Sequence, residues 1–265
     1  MTSFVDWFKH RFLDLPVLAS EHGRSVDNLL MYVHWLMLAL FVGWLAYFLF
    51  VILRFRASRH PRANPVGVKT HFTNYLEGGV ALTEAVLLVG FAVPLWAKMV
   101  SDPPAPQDAT VIRVMGRQFN WVAHYAGADG VMGRQDAALS SAGDPFGVDR
   151  KNDPQALDDV VVQGNIVVPV NKQVVAHLTS LDVIHSLAIP AMRVCQDAIP
   201  GMSIPVWFKP TKVGEYKITC AQLCGNSHYG MYATLKVVSP AEFDRWIAEQ
   251  SAKARAANAA PVNYE

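Results

Sequence analysis

The sequence predicts a two-helix transmembrane hairpin followed by an all-β sandwich or barrel, and three observations carry that prediction. Residues 29–53 form one apolar run, a second follows at 78–96, and the chain then breaks at the Pro-rich stretch Ser101-Asp-Pro-Pro-Ala-Pro106 into short β-branched segments. Composition agrees. Of 265 residues, 52% are hydrophobic and 17% charged, against about 25% charged in an ordinary soluble domain. A net charge of +1 offers no basic face, so nucleic acid is not an expected partner. Three cysteines rule out a disulfide scaffold. No Cys-x-x-Cys-His run occurs, so the chain attaches no haem of its own.

Residues 1–28 are read as an N-terminal amphipathic segment. Phe4, Trp7, Phe8, Phe12 and Leu15 recur at helical spacing among Asp6, Lys9 and Arg11, which suits a membrane surface or a partner subunit. The run at 29–53 has 25 residues with His34 its only ionisable group. As a helix it extends about 37 Å, enough to cross a hydrocarbon core of roughly 30 Å with some tilt. The loop 54–77 carries Arg54, Arg56, Arg59, Arg62 and Lys69, and this excess of basic residues places it in the cytoplasm. A second span at 78–100, interrupted by Thr83 and Glu84, returns the chain, so both termini lie outside. A cleaved signal peptide is not expected, because the apolar run begins late and no small-residue cleavage site follows it.

The water-facing part is assigned to 101–239. Val111-Ile-Arg-Val-Met, Val160-Val-Val-Gln, Ile166-Val-Val-Pro-Val170, Val174-Val-Ala-His-Leu-Thr, Val206-Trp-Phe, Tyr216-Lys-Ile-Thr and Thr234-Leu-Lys-Val-Val are strand-like runs. Gly, Pro and Asn separate them, the texture of a sandwich or barrel. Between them, 127–159 is rich in Gly, Ala and Asp without periodicity and reads as a solvated surface insertion. In 240–265 a helix and tail follow, opened by the capping box Ser239-Pro-Ala-Glu242 with Pro at the first helical position.

Chemistry concentrates at residues 220–231, Cys-Ala-Gln-Leu-Cys-Gly-Asn-Ser-His-Tyr-Gly-Met. Cys220, Cys224, His228 and Met231 offer two thiolates, an imidazole and a thioether at spacing Cys-x3-Cys-x3-His-x2-Met. Soft sulfur with imidazole on a β scaffold selects copper, and a second Cys allows two ions to share the thiolates. Zinc is the rival ion, although its usual His-x3–5-His half is missing. A Cys220–Cys224 disulfide is the inert alternative. A further imidazole is available from His185 in Leu181-Asp-Val-Ile-His185-Ser, upstream of Asp197-Ala-Ile-Pro-Gly201.

Two N-terminal spans, then Asp-Val-Ile-His-Ser, Asp-Ala-Ile-Pro-Gly and the Cys-x3-Cys-x3-His-x2-Met run, resemble subunit II of the haem–copper cytochrome c oxidases. The resemblance implies a cupredoxin-like Greek-key barrel holding a dinuclear copper A centre. It implies that Cys220 and Cys224 bridge both coppers, that His185 and Met231 complete one, and that His228 and the main-chain carbonyl of Gln222 complete the other. It further implies electron transfer from cytochrome c to haem in subunit I, where oxygen is reduced to water with proton pumping. Subunit III and membrane lipid are the further implied partners, and the bacterial inner membrane the location, with the copper domain on the periplasmic side. Glu77 matches the family's Glu at the mouth of a proton-uptake path, and Glu84 lies about 10 Å deeper on the same helix face. An ionisable group at that depth is a functional candidate.

Where the family has Glu between its cysteines, this chain has Gln222, so its magnesium site at the subunit I interface is expected to be weak or empty. The family's electron-accepting tryptophan sits in Gln-Trp-Tyr-Trp, here Gln118-Phe119-Asn120-Trp121. Phe119 holds its place, and Trp121, two residues on and on the same strand face, is either the substitute or a core residue. Val122-Ala-His-Tyr125 lacks the usual acid, and Gln163 replaces another. A less basic donor, or a tethered c-type cytochrome domain, is therefore expected. Cys195 reads as a small buried apolar residue. Three other functions share features with this pattern: quinol oxidase subunits lack the copper ligands, copper chaperones need no hairpin, and nitrous oxide reductase adds a large catalytic domain.

Overall fold

The computed structural model describes residues 7–8, 11–62, 65–67, 69–101 and 103–259. Phe4, Asp6 and Lys9 of the expected amphipathic segment, Asp102 of the linker and the tail 260–265 lie outside the described residues. The chain divides into two units, Ser25–Met99 and a second made of Met1–Arg24 with Val100–Glu265.

In the first unit, α1 spans Gly23–Arg54 and α2 spans Phe72–Ser101, both long and apolar enough to cross a membrane. Each starts about one turn or more before its apolar run, because the helix ends carry polar residues such as Arg24, Asn28 and Asn74. Glu77 thus sits in the second turn of α2 instead of opening it. Tyr32 on α1 meets Phe91 on α2 edge to face, with ring centroids 5.6 Å apart. Trp44, Phe48, Leu82 and Val89 stay exposed, as faces that meet lipid or partner subunits must. Over Val86–Ala92, α2 widens so that the Val93 N–H bonds the Leu88 carbonyl five residues back. Pro94 explains the widening: its ring would press on the Gly90 carbonyl in a regular helix.

In the second unit, one five-stranded sheet has the order β3(Val160–Gln163)–β2(Asn120–Tyr125)–β1(Ala109–Arg117)–β5(Gln173–Ser180)–β8(Ile204–Phe208). The other has the order β4(Asn165–Pro169)–β10(Tyr232–Val238)–β9(Gly214–Cys220)–β6(His185–Ile189)–β7(Val194–Ala198). The pairings β1–β5 and β4–β10 are parallel, so the strands wind as the cupredoxin-like Greek-key barrel. Alternation does the packing. On β1, Ile112 and Val114 are buried while Arg113 and Arg117 turn outward, as the two-residue period of a strand requires. Ile112, Val114, Trp121, Leu178, Ile218 and Leu235 share the core between the sheets. The Tyr125 hydroxyl donates to the Val167 carbonyl (3.1 Å) and accepts from the Val167 N–H (2.8 Å), tying β2 to β4. Burial raises the Tyr125 pKa well above the usual phenol range.

Three parts differ from expectation. First, helix occurs at Trp7–Phe8 and Arg11, but residues 14–19 have no regular secondary structure, with Asp14 in the left-handed region (φ 47°), and the segment bonds to the barrel as a strap. The Ala19 N–H bonds the Ala191 carbonyl (2.8 Å), the Thr211 N–H bonds the Ala19 carbonyl (2.8 Å) and the Glu21 N–H bonds the Lys209 carbonyl (3.0 Å). Second, the 127–159 stretch is exposed over much of its length but is not solvated throughout. Phe146, Val148 and Ala156 bury themselves on Met115 and Val122, making a second small core on the outer face of the β2–β1 sheet. Asp149, Asp158 and Asp159 are buried in it as well: Asp158 accepts from the Ala128 and Asp129 N–H groups, and Asp159 from the Gly133 N–H and His124. These bonds join residues 26 to 35 positions apart, which is why no local pattern announced them. Third, the helix expected within 240–265, α3, fills most of that segment, Pro240–Ala259. Trp246 packs on Tyr125 (5.1 Å) and Asn258 donates to the Leu157 carbonyl (2.9 Å). Its start is the expected capping box, with the Ser239 N–H bonded to Glu242 Oε2 (2.9 Å) and the Glu242 N–H to Ser239 Oγ (3.3 Å). Strands β2, β6 and β7, which carry polar and small residues, are the ones the apolar runs did not signal. Cys195 lies exposed on β7, not buried, 3.6 Å from the Ser186 hydroxyl.

Candidate metal centre

Strand order brings the donor residues to one end of the second sheet. Strand β9 ends at Cys220 and β10 begins at Tyr232, paired in antiparallel register. The Cys220 N–H bonds the Met231 carbonyl (3.1 Å), so the 221–231 loop opens and closes on the same rung. On the other side of β9, Leu187 of β6 pairs with Cys220, and the Ala221 N–H bonds the Ser186 carbonyl (2.9 Å). His185, the first residue of β6, therefore faces the same loop.

The side chains converge. Cys220 Sγ lies 3.8 Å from Cys224 Sγ and 3.9 Å from His185 Nδ1. Cys224 Sγ lies 3.6 Å from His228 Nδ1 and 3.8 Å from Met231 Sδ. The Gln222 carbonyl oxygen is 3.1 Å from Cys220 Sγ, while the Gln222 side chain is exposed. His185, Cys220, Cys224 and Met231 are buried and His228 is half-buried. All three cysteines are free thiols. Among the described residues, His185, Cys220 and Cys224 are the group whose ligand atoms all lie within 4.8 Å of one another; the acids of the 127–159 stretch form no such group. Burial, and then the neighbouring Cys220, push the Cys224 thiol up to about 11. A thiolate pair in this pocket needs positive charge beside it.

Around these donors lies a supporting shell that the spacing did not reveal. Asp182 Oδ1 accepts from His185 Nε2 (2.8 Å) and from the Val183 N–H (2.7 Å), and Oδ2 accepts from the Gln118 N–H (2.7 Å). Burial would raise the Asp182 pKa, but these bonds outweigh it and hold the carboxyl below the usual range. The shell fixes the imidazole so that Nδ1 faces the sulfur atoms. Asp182 lies three residues before His185, and that short spacing was the signal in the sequence. Gln118 Nε2 donates to the Cys224 carbonyl (2.7 Å). A Cβ on Gly116 would come within 2.9 Å of His185 Cδ2 and 3.0 Å of Trp121 Cζ3, so only glycine leaves the rings room.

The electron-accepting candidates separate. Trp121 has no accessible surface, its ring set edge-on to His185 at 6.0 Å. Phe119 is half-buried at the surface, against the backbone of Gly225. Glu77 and Glu84 belong to the membrane unit, both exposed on α2.

Residues 110–238 match the family of cytochrome c oxidase subunit II periplasmic domains. The chain is 31% identical over 228 residues to the alternative cytochrome c oxidase subunit 2 of Bradyrhizobium diazoefficiens, covering 85% of this chain and 80% of that one. The chain belongs to the cytochrome c oxidase subunit II family. A probable cytochrome c oxidase subunit 2 of Rickettsia felis is 32% identical over 236 residues, 89% of this subunit II and 69% of the relative. The crystal structure of the periplasmic domain of subunit II of cytochrome oxidase from Bradyrhizobium japonicum aligns at 30% identity, over 57% of this chain and 99% of that one, with a TM-score of 0.42. As a subunit II, the protein is part of an oxidase, a membrane protein with a periplasmic domain.

Proposed function

We propose that this subunit accepts electrons from cytochrome c, or from a tethered c-type cytochrome domain, at a dinuclear copper A centre and passes them to haem in subunit I for proton-coupled reduction of oxygen to water. The carrying observation is the donor count. Two thiols, two imidazoles, a thioether and a carbonyl at one end of a sheet exceed the four ligands of a structural zinc site and suit two soft ions sharing the sulfur atoms. Cys220 and Cys224 would be shared by the two ions, with His185 and Met231 the further ligands for one and His228 and the Gln222 carbonyl for the other. When bound, such a pair carries one electron at a time with little rearrangement. The chain's part is to exclude water by burying four of the donors, and to fix His185 through Asp182. Phe119 is the half-buried ring of the β1–β2 turn, and Trp121 packs behind His185. In the purified oxidase, rapid mixing with reduced cytochrome c should bleach the copper absorption before haem is reduced. Haem reduction with no preceding copper step would contradict the proposal.

Both termini and the copper domain are assigned to the periplasmic side, the basic 54–77 loop to the cytoplasm. The strap supports this, since residues just before α1 bond to connecting segments of the barrel that follows α2. Subunit I, subunit III and lipid then cover the exposed apolar faces of the hairpin. Glu77, at the cytoplasmic end of α2, serves proton uptake, with Glu84 two turns further along. Glu77→Ala should slow proton-coupled haem reduction about tenfold while copper reduction stays fast, for general acid–base groups contribute at least that much. Stopped-flow traces at the two absorption bands check it.

Gln222 bears on a second metal. Any residue supplies a main-chain carbonyl, but magnesium prefers anionic oxygen in octahedral geometry. The amide of Gln222 removes one such ligand, so the purified complex should hold no stoichiometric magnesium after mild chelation. Gln222→Glu should restore tighter binding and leave the copper spectrum unchanged, as manganese substitution would reveal.

A further inference from the structure

The β1–β2 turn reaches both arms of the metal centre by hydrogen bonds and is open to solvent at Gln118. Gln118 sits one hydrogen bond from the Cys224 carbonyl and, through Asp182, two from His185. Beside it Phe119 is the half-buried ring, Trp121 having no surface to offer. Arg117 is the basic residue on the rim of this turn. Its Nε donates to Asn120 Oδ1 (2.9 Å) and its Nη2 to Gln163 Oε1 (3.0 Å). Asn120 Nδ2 also donates to Gln163 Oε1 (3.3 Å). Among the described residues, the hydrogen-bond partners of Arg117 are thus neutral amides.

The 127–159 insertion enforces that neutrality. Gln163 Nε2 donates to the carbonyls of Ala142 (3.2 Å) and Gly143 (3.4 Å). A carboxylate at 163 would have nothing to donate and would face two carbonyl oxygens, so the loop selects an amide. The guanidinium consequently keeps an uncompensated positive charge. The neighbouring acid, Asp182, spends its oxygens on the N–H groups of Gln118 and Val183 and on His185. A basic docking face on the electron donor would meet repulsion here.

We infer that Arg117, held by Gln163 and the 140–143 backbone, is a specificity-determining residue that selects an electron donor with an acidic contact face. This rests on the electron-accepting role proposed above. Rim charges of this kind act on encounter more than on the bound complex. The effect therefore falls on KM and on salt dependence, with kcat nearly constant.

The test uses the purified oxidase and two soluble c-type cytochromes, one with an acidic and one with a basic contact face, with a small neutral reductant as control. The wild type should show the lower KM for the acidic cytochrome, with that preference fading as salt rises. Arg117→Glu should shift the ratio of the two KM values about tenfold or more towards the basic cytochrome, and Gln163→Glu should shift it part-way by cancelling the charge. A wild-type preference for the basic cytochrome, or a KM ratio unmoved by both variants, would overturn the inference. The neutral reductant separates the two failures. If it cannot reduce copper even in the wild type, the electron-accepting role itself is wrong; if it reduces copper in every form, only the docking inference is at stake. Should Arg117→Glu lose that control reaction, Gln163→Glu decides alone.

Discussion

Cys224→Ser is expected to empty the metal centre of at least one ion and to lower donor-driven haem reduction by more than about a hundredfold. Loss of a residue that only orients a ligand costs about 10–100-fold in metal affinity, and Cys224 is placed more centrally than that. Its sulfur is within 3.8 Å of Cys220 and Met231 and 3.6 Å from His228. A serine hydroxyl is a harder donor that does not ionise near neutral pH, so it cannot bridge two soft ions. Metal analysis of the purified variant, with haem reduction followed by rapid mixing, checks both parts. The fold should survive, because the barrel core lies between the sheets and the 221–231 loop sits at their end.

Gly116→Ala is expected to act through packing alone. One added methyl would meet two rings that are both completely buried, His185 at 2.9 Å and Trp121 at 3.0 Å. Overpacking of this kind costs about 1–3 kcal/mol, a fall in Tm of roughly 2–4 °C per kcal/mol for a domain of this size. Displacing the His185 ring should also shift the copper absorption, which a purely structural defect elsewhere would not do. Trp121→Phe in the same chain should recover part of both losses, because the two sites share one space.

Much of this site was legible from spacing. Cys220, Cys224, His228 and Met231 lie within one short stretch, and the sheet needed only to supply His185 from a neighbouring strand. The membrane runs were legible for the same reason, since apolar continuity is a local property. What stayed hidden depends on long-range register. Nothing in Pro16 to Glu21 announces a strap, because its bonds are to Ala191, Lys209 and Thr211. Phe146 and Val148 look isolated until the insertion folds onto Met115 and Val122. Gln163 reads as a missing acid in the sequence, and only the Ala142 and Gly143 carbonyls explain why an amide stands there.

The most direct test of the account is the electron paramagnetic resonance of the oxidised protein, taken with its copper content. Two coppers per chain are expected, with one unpaired electron shared equally between two equivalent nuclei, because Cys220 and Cys224 stand side by side between the two imidazoles. A hyperfine pattern from a single copper, or a full complement of zinc with no copper signal, would contradict it.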